Sequence, residues 1–556
     1  MVKSKLLSNP ITRILIVFSA LFLLDYFFLN EVIGWFFRAL FKESTALRAY
    51  VFFGCYLSLI LTTAILLLTP YLAIPTFLFS LFFVGIGALY SNINREPFGL
   101  LDIETALRYF DFASQAVETY WRTGLKTIAL PFLLYSMLFI LIRKKVEKVS
   151  FRWLSLALLG VFAGTFLTVR SAGSHVRAFP RYLQPAFIVG LNFFNRPYIG
   201  PRDKLYIEPT QNVPRARHII MIMDESVRAD LMSINGYNVE TTPFLKQQAG
   251  LLLNFGVASS LSNSSSSSNY GVLTGMKMRD LPDKKQKSRR MPLIFDYANS
   301  QTPTRTFLWA QTSFGPQKQK FEFNGIDTID LLSEMPSVRP YLYDRIVIDK
   351  LDDITKKATY SFTWVNKRGS HFDYDSTYPI EKTIFKPTYK ESNADDQAAL
   401  LNSYYNSLRW GVDQFFKELF LRLKDRDIIV VYTSDHGQSI LENGIPGTHN
   451  RTYNISWTQA SVPIMVMGFN SANRKLIESL YLPENKNRTS AEQIFPTLLY
   501  LLGYSFNDIQ MFYAPSLFEK IPEGTRVFLS GDMWGFGPAV SNVFLPKSLT
   551  GPNGSP

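Results

Sequence analysis

Histidine is scarce in this sequence, yet most of its copies fall where strands are expected to end. Three of the five histidines in the 556-residue chain follow apolar runs typical of β-strands. His371 comes after the run Tyr360–Val365, His436 comes after Ile428–Tyr432, and His449 lies a short loop later. Because ligands of open α/β sheets bind at the carboxyl ends of the strands, we expect these imidazoles to share one site.

Carboxylates occupy the same expected strand ends. Glu225 follows the apolar run Ile219–Met223, and Asp435 stands directly before His436. Taken singly, these residues have simpler explanations: Asp435 would be a helix cap, and His371 would be a solvated surface imidazole. Carboxylate oxygens and imidazole nitrogens are ligands that suit zinc. Their shared position at strand ends therefore predicts a zinc site.

A run of serines, Ser264–Ser268, supplies hydroxyl groups. It lies in the chain between the apolar runs Ile219–Met223 and Tyr360–Val365. Serine tracts are typical of flexible linkers. The residues that follow, Tyr270–Gly275, instead look like the start of an ordered helix. A hydroxyl at a helix N-terminus beside a metal is suited to attack phosphorus, because the metal lowers the hydroxyl pKa and the helix dipole stabilises the developing anion.

The elements that must position these residues alternate between strand and helix patterns. Further apolar runs occur at Val462–Met467 and Val527–Leu529, and longer helical patterns occur at Ala394–Lys424 and Ser490–Leu502. Strands that alternate with helices predict an α/β domain with a mainly parallel sheet. We place this soluble domain at residues 215–556, after an irregular bridging segment at 171–214.

The N-terminal part of the chain has long apolar stretches and few charges. Five stretches predict an α-helical membrane domain of five transmembrane helices over residues 1–170, because each approaches the roughly 20 residues that cross a bilayer core. They are Ile11–Leu29, Ala49–Leu68, Tyr71–Tyr90, Lys126–Ile142 and Trp153–Val169. Segments 31–48 and 92–125 mix aromatic and charged residues, which is typical of interfacial loops. Lys and Arg in the N-terminal tail and between the last two helices predict that both are cytoplasmic, which leaves the soluble domain outside the cytoplasm.

The composition limits the class of protein. Apolar residues make up 47% of the chain and charged residues 19%, which excludes an intrinsically disordered protein. The single cysteine, Cys55, excludes a disulfide scaffold and a cysteine-based zinc site. The net charge of +13 suits work at an anionic surface.

Four groups of residues together resemble the alkaline phosphatase/sulfatase superfamily, and within it most closely the membrane-anchored lipid A phosphoethanolamine transferases. They are Asp224–Asp230, Asn235–Tyr237 with Thr242-Pro243, Ser434–Gly437 and Gln493–Gly503. Five N-terminal helices and a periplasmic catalytic domain are the architecture of that family. The resemblance therefore covers nearly the whole chain and implies an α/β sulfatase-like soluble domain.

The resemblance also implies a metal site with one zinc ion or two. Glu225, Asp435 and His436 match the family's zinc ligands, and the nucleophile joins them. His371 and His449 match two further histidines of the family, which hold a second zinc or act as catalytic acid and base.

The nucleophile implied by the resemblance is Ser265. In related enzymes the nucleophile lies nine residues before the hydroxyl residue that corresponds to Thr274, and this spacing selects Ser265. Its neighbours Ser264 and Ser266 stay open as alternatives. Ser268 would then line the phosphate site.

The activity implied is transfer of phosphoethanolamine from phosphatidylethanolamine to lipopolysaccharide (lipid A or a core sugar) or to another envelope glycan. The transfer would pass through a covalent phosphoserine-type intermediate and release diacylglycerol. The cationic head group would contact Asp102, Glu104 and Tyr109 in the second interfacial loop. We expect a monomer in the bacterial inner membrane, with its catalytic domain in the periplasm and with lipids, not nucleic acid, as partners.

Three alternatives compete with this interpretation. Transfer of phosphoglycerol from phosphatidylglycerol would use the same site. A sulfatase is disfavoured, because Ser267 and Asn269 stand where its maturation pattern requires proline and arginine. A non-catalytic membrane assembly protein with a degenerate domain is the third.

The family usually carries several disulfides in its soluble domain, whereas Cys55 lies in a predicted helix, so we expect a divergent branch with a different acceptor.

Overall fold

The protein is described by a computed structural model at residues 10–29, 46–94, 128–130, 132–140, 151–170, 179–180, 182–184, 186–187, 200–310, 325–332, 338–392, 396–442, 449, 451–453, 455–535 and 539–546. The chain divides into two compact units. The first comprises Met1–Pro197 with Gly535–Ala539, and the second comprises Tyr198–Trp534 with Val540–Pro556. The division after residue 197 falls inside the segment predicted to be a bridge.

The N-terminal unit is helical. Its long helices are α1 Pro10–Leu29, α2 Ala46–Leu68, α3 Ala73–Asn94 and α4 Phe151–Arg170. Residues 128–130 and 132–140, within the fourth predicted stretch, are helical as well. Tyr56, Leu59 and Ile60 of α2 are completely buried in this unit. Over the described part of the chain, none of the helices has the length and apolar character needed to span a bilayer.

The second unit contains the strands that carry the predicted site. They are β1 His218–Asp224, β2 Leu252–Ser259, β3 Thr304–Trp309, β4 Thr328–Leu331, β5 Ser361–Asn366, β6 Ile428–Ser434, β7 Ser461–Gly468, β8 Val527–Gly531 and β9 Ala539–Val543. The helices of this unit are α5 Pro243–Gln247, α6 Ser265–Thr274, α7 Ile294–Asn299, α8 Tyr343–Lys357, α9 Gln397–Leu408, α10 Phe415–Leu423, α11 Ser471–Ser479, α12 Ile494–Leu501 and α13 Phe506–Phe512. A π-helical turn, Arg409–Gln414, joins α9 to α10.

Seven of these strands form one sheet in the order β2-β7-β6-β1-β5-β3-β4. The neighbours from β6 to β4 pair in parallel, and β7 runs antiparallel to both β6 and β2. The prediction of an α/β fold with a mainly parallel sheet is confirmed. The predicted strand at Val462–Met467 is the antiparallel β7, and the one at Val527–Leu529 is β8, which pairs with β9 in a separate two-stranded sheet.

The central strands bring three chain segments to one edge of the sheet. All seven residues of β1 and of β6 are buried, as expected for strands covered on both faces. Asp224 of β1 is in register with Ser434 of β6, and Met223 is in register with Asn366 of β5. The residues that follow these three strand ends therefore emerge side by side.

Candidate active site

Glu225 is the first residue beyond β1, and its side chain is almost completely buried. The Ser226 hydroxyl donates a hydrogen bond to Glu225 Oε1 at 2.9 Å, and the Ser226 backbone N–H donates to Asp435 Oδ1 at 3.1 Å. Ser226 itself has a φ of 60°, in the left-handed region. The turn after β1 thus ties the two predicted carboxylate ligands together.

Asp435 lies beyond β6 with one carboxylate oxygen engaged and the other unsatisfied. Its Oδ1 accepts from the backbone N–H groups of Ser226 and His436, the latter at 2.7 Å. Its Oδ2 is buried and has no hydrogen-bond partner. Burial and the nearby charge of Glu225 raise the pKa of Asp435 well above its usual range. Two buried carboxylates in contact, one with an orphaned oxygen, form a place for a cation.

His436 presents a lone pair toward both carboxylates. Its Nδ1 lies 2.7 Å from the Gly437 carbonyl, which can only accept, so Nδ1 carries the proton and Nε2 is the free acceptor. Nε2 lies 3.4 Å from Glu225 Oε1 and 3.5 Å from Asp435 Oδ2. An imidazole held in this tautomer by a carbonyl is the usual arrangement of a metal-ligating histidine.

His449 completes a cluster with Glu225 and His436, whose potential ligand atoms all lie within 4.8 Å of one another. Its ring stacks on that of His436 with centroids 3.9 Å apart. Its Nδ1 is buried and has no hydrogen-bond partner. Burial, together with the charges of His436 and His371, keeps the pKa of His449 well below its ordinary value. The unpaired Nδ1 makes His449 available as a metal ligand, and its role, as a ligand or as a catalytic acid and base, stays a prediction.

The serine tract meets this cluster at the start of α6. Ser264 is the N-cap, Ser265 is the first helical residue, and the Ser265 hydroxyl lies 3.0 Å from His436 Nε2. The hydroxyls of Ser264 and Ser266 lie 3.4 Å from each other instead. Among these three candidate nucleophiles, the geometry therefore favours Ser265.

Ser268 lies one turn further along α6 and is buried. Its hydroxyl donates to the Ser262 carbonyl at 2.8 Å and accepts from the Ser262 N–H at 3.0 Å. These two bonds close the loop that leads into the helix. The role predicted for Ser268 at a phosphate site stays a prediction.

His371 follows β5 but is not part of the three-residue cluster. Its Nδ1 donates to the carbonyl of Phe372. Burial and the cation of Arg368 lower the pKa of His371 to about 4. The three predicted head-group contacts, at Asp102, Glu104 and Tyr109, lie outside the described residues.

The side chains present fit zinc. Two carboxylates, two imidazoles and a hydroxyl are the donor set of a catalytic zinc site, and each of Asp435 and His449 leaves a buried donor atom unpaired. Zinc bound there would be held by Glu225, Ser265, Asp435 and His436, with His449 beside them.

A buried ion pair beside this cluster was not expected from the sequence. Lys367 Nζ lies 2.7 Å from Asp224 Oδ2, and both side chains are completely buried. Gly369, two residues on, has a φ of +57°, and a Cβ there would lie 2.3 Å from Asp224 Oδ1 and 2.7 Å from the Glu225 nitrogen. The sequence signal for this ion pair was a charged residue within two positions of the end of each of two apolar runs.

Comparison with known proteins agrees with this geometry. A Kdo(2)-lipid A phosphoethanolamine 7''-transferase of Escherichia coli K12 is 25% identical over 256 residues, which cover 45% of this chain and 44% of that protein. The phosphatidylethanolamine transferase Mcr-2 of Escherichia coli is 21% identical over 341 residues, covering 52% of this chain and 56% of that protein. The chain thus spans about half the length of the curated relatives it matches.

A solved structure supports the fold over a longer span. The integral membrane protein lipooligosaccharide phosphoethanolamine transferase A of Neisseria meningitidis matches with a TM-score of 0.63 and 20% identity, over 88% of this chain and 97% of that one. At the level of sequence, the profile of the sulfatase family matches residues 217–504, which make up more than half of the chain and contain the whole cluster. This chain belongs to the sulfatase family.

Proposed function

We propose that this protein is a zinc-dependent phosphoethanolamine transferase. It would move phosphoethanolamine from phosphatidylethanolamine to lipopolysaccharide, at lipid A or a core sugar, or to another envelope glycan. The observation that carries the proposal is the Ser265 hydroxyl, which lies at the start of α6 and 3.0 Å from His436 Nε2. The names of the two relatives, both transferases of phosphoethanolamine or phosphatidylethanolamine, support the choice of transferred group.

Zinc at this site would lower the pKa of the Ser265 hydroxyl and neutralise charge on the phosphate. The residues of this chain orient the reacting groups. The first turn of α6 holds Ser265 Oγ in place and directs backbone N–H groups toward an anion. The Gly437 carbonyl fixes the His436 ring, and the Ser226 hydroxyl fixes Glu225.

In the first half-reaction, Ser265 Oγ forms a bond to the donor phosphorus and the bond from phosphorus to the diacylglycerol oxygen breaks. The proton released by the serine hydroxyl is balanced by the proton that the leaving oxygen takes up. In the second half-reaction, an acceptor oxygen forms a bond to the same phosphorus and the bond from phosphorus to Ser265 Oγ breaks. The proton lost by the acceptor is balanced by the proton that restores the Ser265 hydroxyl. His371, which borders the cluster without joining it, is the residue we assign to these proton transfers.

We further propose that the N-terminal unit holds the catalytic unit at the periplasmic face of the inner membrane. Its described helices expose many large apolar side chains, including Phe82 at 62% and Phe162 at 69%, whereas only scattered single ones are normal on a surface in contact with water. The Neisseria protein that matches over 88% of the chain is described as an integral membrane protein. Carbonate extraction of membranes should leave the chain in the pellet, and release into the supernatant would contradict this placement.

Covalent labelling tests the chemistry. Membranes that contain the protein are incubated with phosphatidylethanolamine labelled in its head group, and the purified chain is digested to locate the label. We expect label on the peptide that contains Ser265 and none in Ser265→Ala. Ser264→Ala and Ser266→Ala serve as matched controls and should keep the label. Retention of label in Ser265→Ala would reject this nucleophile.

The labelling assay also distinguishes the two candidate donors, and a zinc measurement tests the non-catalytic alternative. Label acquired from phosphatidylglycerol alone would replace our proposal with phosphoglycerol transfer. Zinc content, measured by elemental analysis, should fall in Glu225→Ala relative to wild type. Equal zinc in both proteins would remove the basis for the site and favour a degenerate domain.

A further inference from the structure

A groove of about 950 Å³ lies in the second unit, apart from the Glu225 cluster. Four segments line it together with Phe544 and Leu545: the turn beyond α6 at residues 277–279, residues 487–493, residues 510–515 and residues 521–527. Its volume falls within the range of pockets that bind small organic ligands. The groove is not explained by the chemistry proposed for Ser265.

The charged side chains of the groove have a cationic excess. They are Lys277, Arg279, Arg488, Glu492, Glu523 and Arg526, four cations and two carboxylates. Glu523 pairs with Arg488 at 2.8 Å, and Glu492 accepts from the Met278 N–H at 2.8 Å. Only Glu523 is neutralised in an ion pair, so Lys277, Arg279 and Arg526 face the groove with Glu492 as the one remaining carboxylate, a net cationic excess of two charges.

Arg526 is the most enclosed of these cations. Its Nη1 donates to the carbonyls of Val257 at 2.7 Å and Thr489 at 3.2 Å, and its guanidinium lies 4.6 Å from the centroid of the Phe544 ring. Burial lowers the pKa of Arg526 to about 10. A guanidinium held by carbonyls and an aromatic ring, without a carboxylate, keeps its attraction for an anion.

Lys277 and Arg279 line the groove at the turn beyond α6. Within the described part of the chain, neither side chain makes a hydrogen bond or an ion pair. Like charges spaced two residues apart repel each other, and burial together with Arg279 lowers the pKa of Lys277, although the carboxylates of Asp280 and Glu492 offset part of this effect. An anion bound between them would relieve this repulsion.

We infer that this groove binds a phosphate group on the acceptor, an extended phosphate-bearing glycolipid, during the reaction proposed above. The inference rests on the proposed function, because it names the second substrate of the same site. Helix α6 separates Ser265 from Thr274 by about 14 Å of axial rise. The phosphate that is transferred from the donor must contact Ser265. A phosphate bound in the groove is therefore a second phosphate, one that the acceptor carries. An acceptor that contacts both Ser265 and the groove must carry this second phosphate at a distance from the oxygen atom that is modified.

Two half-reactions and a charge-matched control test the inference. The double variant Lys277→Gln, Arg279→Gln removes one partly buried charge and one exposed charge without breaking a hydrogen bond. The control, Lys284→Gln with Lys285→Gln, removes two exposed charges from the same loop outside the groove. Each full-length protein in detergent is assayed for diacylglycerol release from phosphatidylethanolamine and for transfer to lipopolysaccharide before and after removal of its phosphates.

We expect the groove variant to raise KM for phosphorylated lipopolysaccharide about tenfold, which corresponds to about 1.4 kcal/mol. Its diacylglycerol release and its KM for the dephosphorylated acceptor should match those of wild type, and the control should match wild type throughout. An unchanged KM, or an equal rise in the control, would overturn the inference while leaving the transferase intact.

Direct binding keeps the test separate from the chemistry. A bisphosphorylated glucosamine disaccharide is titrated into the Ser265→Ala protein with and without the two groove substitutions. Affinity that falls about tenfold with the substitutions, and is absent for the unphosphorylated disaccharide, supports the groove even if diacylglycerol is never released. Equal affinity in both proteins would overturn it.

Discussion

The ion pair between Asp224 and Lys367 offers a quantitative test of how the candidate site is held. Lys367 Nζ lies 2.7 Å from Asp224 Oδ2 and also donates to the Gly411 carbonyl at 2.6 Å. Tyr432 donates to the same carboxylate oxygen at 2.9 Å, and the Glu225 backbone N–H donates to Oδ1 at 3.0 Å. The carboxylate of Asp224 therefore positions the backbone of Glu225, a predicted zinc ligand.

The energy of this pair comes from two large opposing effects. At an effective dielectric constant of about 20, unit charges 2.7 Å apart attract by about 6 kcal/mol. Removing two charges from water costs several kcal/mol for each ion, so the intact pair contributes little net stability. Lys367 Nζ also lies 3.6 Å from Asp344 Oδ2. Loss of Lys367 therefore leaves two carboxylates without their cation and should cost about 3–5 kcal/mol, whereas loss of Asp224 leaves the lysine a weaker partner and should cost less.

A double-mutant cycle measures this effect. Lys367→Met and Asp224→Asn keep the size of each side chain; the first should destabilise the protein by about 3–5 kcal/mol and the second by less, because Asp344 still faces Lys367. The double variant should lose much less than the sum, with a coupling energy of at least about 2 kcal/mol. Lys367→Met alone should also lower the zinc content, since a displaced Asp224 carboxylate shifts Glu225, whereas the double variant should recover it.

The assay is urea unfolding of the full-length protein in detergent and chelator, followed by tryptophan fluorescence. Lys246 and Glu240 form a matched control, because they are also 2.7 Å apart but are 53% exposed. Lys246→Met with Glu240→Gln should couple by less than about 1 kcal/mol. If the costs at Asp224 and Lys367 add within about 0.5 kcal/mol, the reasoning about this pair is refuted.

Three further predictions follow from the second unit. Gly369→Ala should abolish zinc binding, because its Cβ would lie 2.5 Å from the Glu225 carbonyl oxygen. The control Gly411→Ala should bind zinc normally, because the atom nearest to its Cβ would lie at 3.5 Å. Equal zinc content in the two variants would contradict this prediction. Ser434→Ala should cost about 1–2 kcal/mol in urea unfolding, because the Val227 N–H loses an acceptor at 2.9 Å. Burial lowers the pKa of His218 from 6.5 to about 4, so the unfolded chain takes up a proton in this window that the folded chain does not, and stability falls as the pH falls through it. His218→Gln, unfolded in chelator between pH 7 and pH 4, should show a shallower loss of stability than wild type, and an equal slope would reject the assignment.

Much of the fold could be predicted, because its central strands have a plain local pattern. β1 and β6 contain the uninterrupted apolar runs Ile219–Met223 and Ile428–Tyr432, and the candidate ligands Glu225 and Asp435 directly follow the two strands. β2 was missed because Asn254 and Gly256 interrupt its apolar pattern, and the strand has an irregular register between Asn254 and Val257. β4 was missed because it is a short edge strand with exposed residues.

The sequence by itself determined which residue types gather at the strand ends, and with them the kind of chemistry. Carboxylates and imidazoles directly after buried strands can be recognised from a few neighbouring residues, because strand and turn patterns are local. The region that matches the sulfatase family, residues 217–504, contains these strand ends.

The family resemblance selected Ser265 but left Ser264 and Ser266 open. Only the packing of the chain shows which of these hydroxyls lies beside His436 and what holds Glu225. Adjacent residues on a helix point about 100° apart, so of Ser264, Ser265 and Ser266 only the middle one can be directed at His436 Nε2. Asp224 and Lys367 are 143 residues apart, and their pairing has no local signature. Side-chain direction at a helix start and contacts between distant segments both depend on how the strands and helices pack, which no single stretch of sequence specifies.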